Sequence, residues 1–205
     1  MVTNTNNSAT GEKTAAANSK IAAITVTKAA NSITGVSSKY IKKRKDKAFT
    51  LKAKGEGEIT YTSSDKKVAV VDSTSGKVTI KGYGRTTITI QAAGNANYAA
   101  ATKKVTIDVA PYTSIKKVQS KKSKTMTVTW KKDKNAGGYQ VRYSTDKNFK
   151  KSVKTKKVKK STTGLIVRKL TGKKTYYVRI RAYKKVGKTT VYSNWSKAKK
   201  VKVKK

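Results

Sequence analysis

The side chains that most often do chemistry are scarce in this chain. It contains no Cys and no His, which removes disulfides, thiolate nucleophiles, and every thiolate or imidazole metal site. Nine carboxylates remain: Glu12, Asp46, Glu56, Glu58, Asp65, Asp72, Asp108, Asp133 and Asp146. Carboxylate pairs alone can support hydrolysis, so the inventory permits catalysis without favouring it. No catalytic residue, cofactor or metal ligand is assigned, and the chain is read as a non-enzyme. Asp65 and Asp72 flank one strand-like word and could share a hard cation; with so much Lys nearby, capping of turns is the default. Gly82-Tyr83-Gly84-Arg85 lacks the Lys-Ser/Thr of a phosphate loop and has strand-like flanks, so it reads as a hairpin turn.

What remains is positive charge and aromatic rings. Lys and Arg number 50, giving a formal net charge of +41. Residues 111–205 hold 32 basic and 2 acidic side chains, a net of +30, against 18 and 7, a net of +11, in residues 1–110. The excess runs along Lys154-x-Lys156-Lys157-x-Lys159-Lys160 and the C-terminal Lys199-Lys200-x-Lys202-x-Lys204-Lys205. TYYVRIRAYKK, residues 175–185, interleaves aromatic and Arg side chains, which could be a stacking surface or the outer face of an ordinary strand. Of the 50 basic residues 44 are Lys and 6 are Arg. A reader of base edges favours the planar fork of Arg, so nucleic acid is expected to bind only nonspecifically. Two readings of the Lys stay open. They are solvated faces and gatekeepers of sheet edges, or they hold an anionic wall polymer, a glycan or a host surface by counterion release. The candidate polyanion-binding residues are Lys154, Lys156, Lys157, Lys159, Lys160, Arg179 and Arg181, with Tyr177, Tyr183 and Trp195 as candidate exposed aromatic contacts.

The elements that would position these residues are strands. The chain has 205 residues and 36% apolar content, enough for a thin core drawn from regularly spaced positions. Its Tyr, Thr and Val suit pleated sheets. Residues 1–20 show no periodicity and read as a flexible leader, in which Asn6-Asn7-Ser8 matches a glycan acceptor pattern. From Ile21, words such as IAAITVTK, KAFTLKAKG, EITYTSS, KVAVVD, KVTIKG, RTTITIQAAG and KKVTIDVA follow one another. Val78 and Ile80, Ile88 and Ile90, and Val105, Ile107 and Val109 alternate with polar partners. Seven such words predict a sandwich of two antiparallel sheets. Pro111, the single proline, cannot donate to a ladder and marks a boundary, giving domains at 21–110 and 111–205. TMTVTW, GYQVRYS, GLIVRKL, TYYVRIRAYKK and AKKVKVKK then make a second sandwich. No apolar run approaches the roughly 18 residues of a membrane helix, so no membrane insertion is expected.

The second half resembles fibronectin type III domains, through Trp130, Tyr139-x-Val141-x-Tyr143, and the Leu170-to-Tyr176 corner, with Gly172 where the family often has Pro-Gly. The resemblance implies that Tyr176 bonds back to backbone, that Val178, Ile180 and Ala182 point inward, and that Tyr177, Arg179, Arg181 and Tyr183 point outward. Gln140 and Arg142 would share that outer face, and Trp195 would lie against Arg179 or Arg181, as in the cytokine-receptor branch. The first half resembles group 2 bacterial Ig-like domains through ITYTSSD at 59–65, KVAVVD at 67–72, GKVT at 76–79, GRTTI at 84–88 and NANY at 95–98. Tyr61 stands where Trp is common. Bacterial Ig-like domains sometimes hold a Lys–Asn cross-link beside a buried acid, an option left open for the first half. These resemblances imply tandem modules of surface or secreted proteins, frequent in Gram-positive bacteria. The expected protein is a monomeric, excised segment of a larger exported chain, without its signal sequence. It would serve as a spacer, adhesion or wall-contact module, or else as an accessory module of a carbohydrate-active or peptidase enzyme.

Overall fold

A computed structural model describes residues 27–205. The leader at 1–20, Asn6-Asn7-Ser8, Glu12 and most of the IAAITVTK word lie outside the described residues. The remainder is all-β. The first unit comprises β1 (Lys39–Lys42), β2 (Phe49–Thr50), β3 (Ile59–Ser63), β4 (Ala69–Val71), β5 (Lys77–Ile80), β6 (Gly84–Ala92) and β7 (Ala101–Val109). One sheet has the order β1-β7-β6-β3, and the other β2-β5-β4. Alternation dictates the packing: Val78, Ile88, Ile90, Val105, Ile107 and Val109 are fully buried, and Ile80 nearly so. They form one core with Leu51, Tyr61 and Val68. The Tyr61 hydroxyl donates to the Leu51 carbonyl at 3.1 Å. Gly76 makes room for that ring, because a Cβ there, at φ +67°, would sit 2.7 Å from Tyr61 Cζ.

Two expectations need correction. The first unit is not wholly antiparallel, since β1 runs parallel to β7, Tyr40 facing Ile107. In the chain entering the unit, Ala29 bridges Tyr98 in parallel just before β7, Thr34 crosses to Lys54, and β1 then covers the edge of β7 that β6 leaves free. Gly82-Tyr83-Gly84-Arg85 is likewise no hairpin. β5 pairs with β2 and β4, and β6 with β3 and β7, so the segment carries the chain from one sheet to the other.

The second unit comprises β8 (Ile115–Gln119), β9 (Met126–Trp130), β10 (Gly138–Ser144), β11 (Lys154–Lys159), β12 (Gly164–Val167), β13 (Thr175–Val186), β14 (Thr189–Tyr192) and β15 (Lys199–Lys202). β12-β9-β8 forms the smaller sheet. In the larger one the order is β11-β10-β13, and β14 and β15 divide the far edge of β13 between them. Trp130, Tyr139, Met126, Val128, Val141, Val178 and Ile180 are all but inaccessible to water and lie in one core. Each such side chain contributes about 1.5–3 kcal/mol by burial. Tyr176 closes the corner, its hydroxyl accepting the Thr171 N–H at 3.2 Å. The left-handed position of that turn falls on Lys173, at φ 61°, not on Gly172. Tyr176→Phe leaves the Thr171 N–H without its partner and is expected to cost about 1–2 kcal/mol in urea unfolding. A loss below about 0.3 kcal/mol would mean that the corner is packing alone.

Candidate functional site

The carboxylates are structural wherever they are ordered by contacts. Asp72 Oδ1 accepts the Ser75 N–H at 2.8 Å, the Ser75 hydroxyl at 2.7 Å and the Thr74 N–H at 3.3 Å. The Ser75 contacts and the Thr74 N–H hold its carboxyl below the ordinary value. Asp65 Oδ1 caps the Lys67 N–H at 2.9 Å, and Asp146 gathers the N–H groups of Asn148, Lys150 and Lys151. Among the described residues no three or more acidic side chains cluster as metal ligands would. Asp108 is the one buried carboxylate in this set, and both ion pairs among the described residues belong to it: Lys39 Nζ at 2.7 Å and Arg85 Nε at 2.6 Å. Burial pushes its pKa up, but the hydrogen bonds and charges of Arg85 and Lys39 outweigh that and hold it below the ordinary value. An acid that assists a Lys–Asn cross-link must be able to carry a proton. Asp108 is pinned as a carboxylate instead.

The outer face of the larger sheet of the second unit is a stack of cations and rings. Alternation along β13 buries Tyr176, Val178, Ile180 and Ala182 and turns Tyr177, Arg179, Arg181 and Tyr183 outward. Trp195 arrives from the segment between β14 and β15, and local chemistry explains how. The Ser193 hydroxyl accepts the Ala182 N–H at 3.1 Å and the Ser196 hydroxyl accepts the Ile180 N–H at 3.1 Å. Their backbone N–H groups donate back to the carbonyls of the same two residues. Two serines thus complete the ladder of β13 where regular strand is missing, and the residue beside Ser196 is laid across the face. The Trp195 ring meets Arg142 at 4.4 Å, Arg181 at 4.5 Å and Arg179 at 5.1 Å. Phe149 covers Arg179 at 4.1 Å, and Tyr192 covers Arg181 at 4.2 Å.

This stack spends most of its own binding capacity. Arg181 Nε donates to Gln140 Oε1 at 2.8 Å. Burial, and then the charge of Arg142, lower the Arg179 pKa; burial is also the main depressing influence on Arg181. Tyr177, Tyr183 and Trp195 are half-buried rather than fully exposed. Tyr183 lies over Gly138, in the space a Cβ would occupy, and against Tyr192 at 5.8 Å.

The Lys candidates are differently placed. Lys154, Lys156, Lys157 and Lys159 lie on β11, the edge strand of the larger sheet, and Lys160 lies in the turn after it. Lys157 and Arg181 both pair with Gln140, from opposite sides of β10, so they share the outer face about 10 Å apart. Lys156 pairs with the core residue Val141 and Lys154 with Tyr143, which puts both on the other face. There they line a groove with Arg168 and Lys169 beside β12. The seven candidates therefore divide between two faces. Four strands, β1, β8, β11 and β14, are absent from the sequence reading because polar residues hold at least half of their positions.

Residues 113–199 match the family described as fibronectin type III domain, and residues 46–94 match the intimin immunoglobulin-like domain. No curated protein matches. Among solved structures, the FN1–FN3 domains of chicken CNTN1 are 17% identical over 73% of this chain, with a TM-score of 0.41, and the chain spans 57% of that structure. A myokine structure is 17% identical over 47% of this chain and 100% of its own, at 0.38. The fn3 domain of human contactin 1 is 18% identical over 47% of this chain and 82% of its own, at 0.36. Among the described residues no helix is long and apolar enough to cross a membrane. Domains of these two kinds are typical of surface or adhesion modules and are generally non-catalytic. The chain thus matches, in tandem, a model of the intimin-type bacterial Ig-like domain and then one of the fibronectin type III domain.

Proposed function

We propose that this chain is a non-catalytic spacer and adhesion module of a bacterial surface or secreted protein that engages an anionic wall polymer or glycan through its Lys. One observation carries the reading: positive charge is almost wholly unneutralised. Among the described residues the only ion pairs are those of Lys39 and Arg85 with Asp108, which leaves the Lys of β11 and its turn free for an external polyanion. Lys on an edge strand also blocks pairing with another sheet, so solubility and binding compete as explanations. Salt dependence separates them. Free, hydrated ammonium groups bind through release of the polymer's counterions, and affinity then falls steeply with salt.

The test is titration of the whole chain with teichoic acid, a sulfated glycan and duplex DNA at about 50, 150 and 500 mM salt. The expected result is that one of the two glycans stays bound at about 150 mM while DNA is released. Release of all three together would reduce the Lys to solubility and leave a spacer.

A further inference from the structure

Where the two units meet, the chain encloses a crevice of 410 Å³, within the range of about 300–1,000 Å³ usual for small-ligand sites. The turn after β1 supplies Lys43, Arg44 and Lys45 to one wall. The turn between β9 and β10 supplies Lys131, Lys132 and Lys134 to the other. All six side chains are exposed. Asp133 lies between them, but its oxygens are already engaged by the N–H groups of Tyr112 at 2.9 Å and Asn135 at 2.8 Å. Tyr83 lines the crevice from the first unit, and burial, then the charge of Asp133, raise its hydroxyl pKa. Tyr112 is 43% exposed. Its backbone is fixed by buried Pro111 and by the bond to Asp133, and Lys43 Nζ stands 4.1 Å from its ring.

This differs from a solvated face. Such a face is convex and lets its cations spread, whereas here two units turn six cations into one concavity around a ring. Two unit charges about 10 Å apart repel by roughly 0.4 kcal/mol even in water. The apposition is thus opposed by charge, and an anion seated in the crevice would relieve it.

We propose that the crevice is the docking subsite for a phosphate-bearing glycan, with one sugar ring laid on Tyr112 and flanking phosphates held between the two Lys turns. The proposal rests on the polyanion reading above and adds the place and the ligand chemistry. A glycan is favoured over nucleic acid because sites for single strands line up several free rings. Here the other rings of the second unit are largely engaged by Arg or by one another, and five of the six crevice cations are Lys.

The experiment uses the whole chain with glycosylated poly(glycerol phosphate), its unglycosylated form and duplex DNA as probes, at about 150 mM salt. Three variants are compared: Lys131→Ser with Lys132→Ser and Lys134→Ser; Lys147→Ser with Lys150→Ser and Lys151→Ser, from the exposed segment between β10 and β11; and Tyr112→Ala. Both triples remove the same charge from exposed positions, so a general electrostatic effect would be equal in the two. The expected result is a loss of about tenfold for the crevice triple and less than about threefold for the triple between β10 and β11. Tyr112→Ala should weaken the glycosylated polymer by about fivefold and leave the unglycosylated one unchanged. Equal losses from both triples, or no effect of Tyr112→Ala, would overturn the crevice while leaving polyanion binding intact. DNA bound more tightly than either polymer, and lost with the crevice triple, would overturn the glycan assignment. An unaltered chain that binds no probe would overturn both readings.

Discussion

Trp195→Ala should destabilise the fibronectin-type unit by about 2–3 kcal/mol. Three guanidinium groups face this one ring, those of Arg142, Arg181 and Arg179, at 4.4, 4.5 and 5.1 Å. Each cation–ring contact is worth about 0.5–1 kcal/mol when exposed and about 2 when desolvated, and these are half-buried. Removing the ring also leaves three like charges adjacent with no quadrupole between them, and rehydrates apolar surface on β13. Both tryptophans of the chain, Trp130 and Trp195, lie in this unit, so Trp fluorescence follows its urea unfolding without signal from the Ig-like unit. In the variant Trp130 alone reports. Trp195→Phe should recover about half of the loss, because a smaller ring keeps part of the stack. A double-mutant cycle with Arg181→Met should return a coupling of about 1 kcal/mol. A Trp195→Ala loss below about 0.5 kcal/mol would show that the ring decorates the sheet without holding it.

That stack also shows what could be read from the chain and what could not. Period-two alternation divided the strand into two sets, because a strand gives each side chain only two directions, and the resemblance at the Tyr176 corner said which set faces inward. Together they put Val178, Ile180 and Val141 in the core and Arg179 and Arg181 outside, as observed. Trp195 against the Arg pair was legible from resemblance. The part of Ser193 and Ser196 was not, since a hydroxyl that stands in for a ladder carbonyl leaves no periodic trace. Strand β11 was illegible as a strand for a related reason. KTKKVK has one apolar residue in six, and its pairing comes from the backbone of β10, not from burial. β1 is similar: KYIK becomes a strand only because β7 has a free edge, a fact about tertiary structure. The crevice lies further still from the text, because its two Lys turns are about 90 residues apart and neither is unusual in so basic a chain. Charge runs drew attention to β11; convergence in space picks out residues 43–45 and 131–134.

Asp108→Asn should cost the Ig-like unit about 2–4 kcal/mol at neutral pH, and that cost should vanish in acid. The carboxylate is 2% exposed and accepts from Arg85 Nε at 2.6 Å and Nη2 at 2.9 Å, with Lys39 Nζ at 2.7 Å. Breaking a buried pair usually costs about 3–5 kcal/mol. The lower end applies here because the Lys39 and Arg85 side chains are 45% and 42% exposed and regain water. An amide is also the wrong isostere, since its NH₂ would face a donor from Arg85 or Lys39. The pH dependence follows from a carboxyl whose pKa is lower folded than unfolded. Such a group stabilises the fold above its unfolded value, near 3.8, and the stabilisation is lost as pH falls through the folded value below that. Acid also raises the net charge from +41 toward +50 as the carboxylates protonate, which strains every variant alike. Asp72 titrates in the same direction and is unchanged between the two proteins. The informative quantity is therefore the stability difference between the unaltered chain and Asp108→Asn, measured by circular dichroism in urea from pH 7 down to about 2. It should hold steady to near pH 4 and then shrink toward zero. A difference that persists undiminished at about pH 2 would mean that Asp108 serves the fold through its shape and not through its charge.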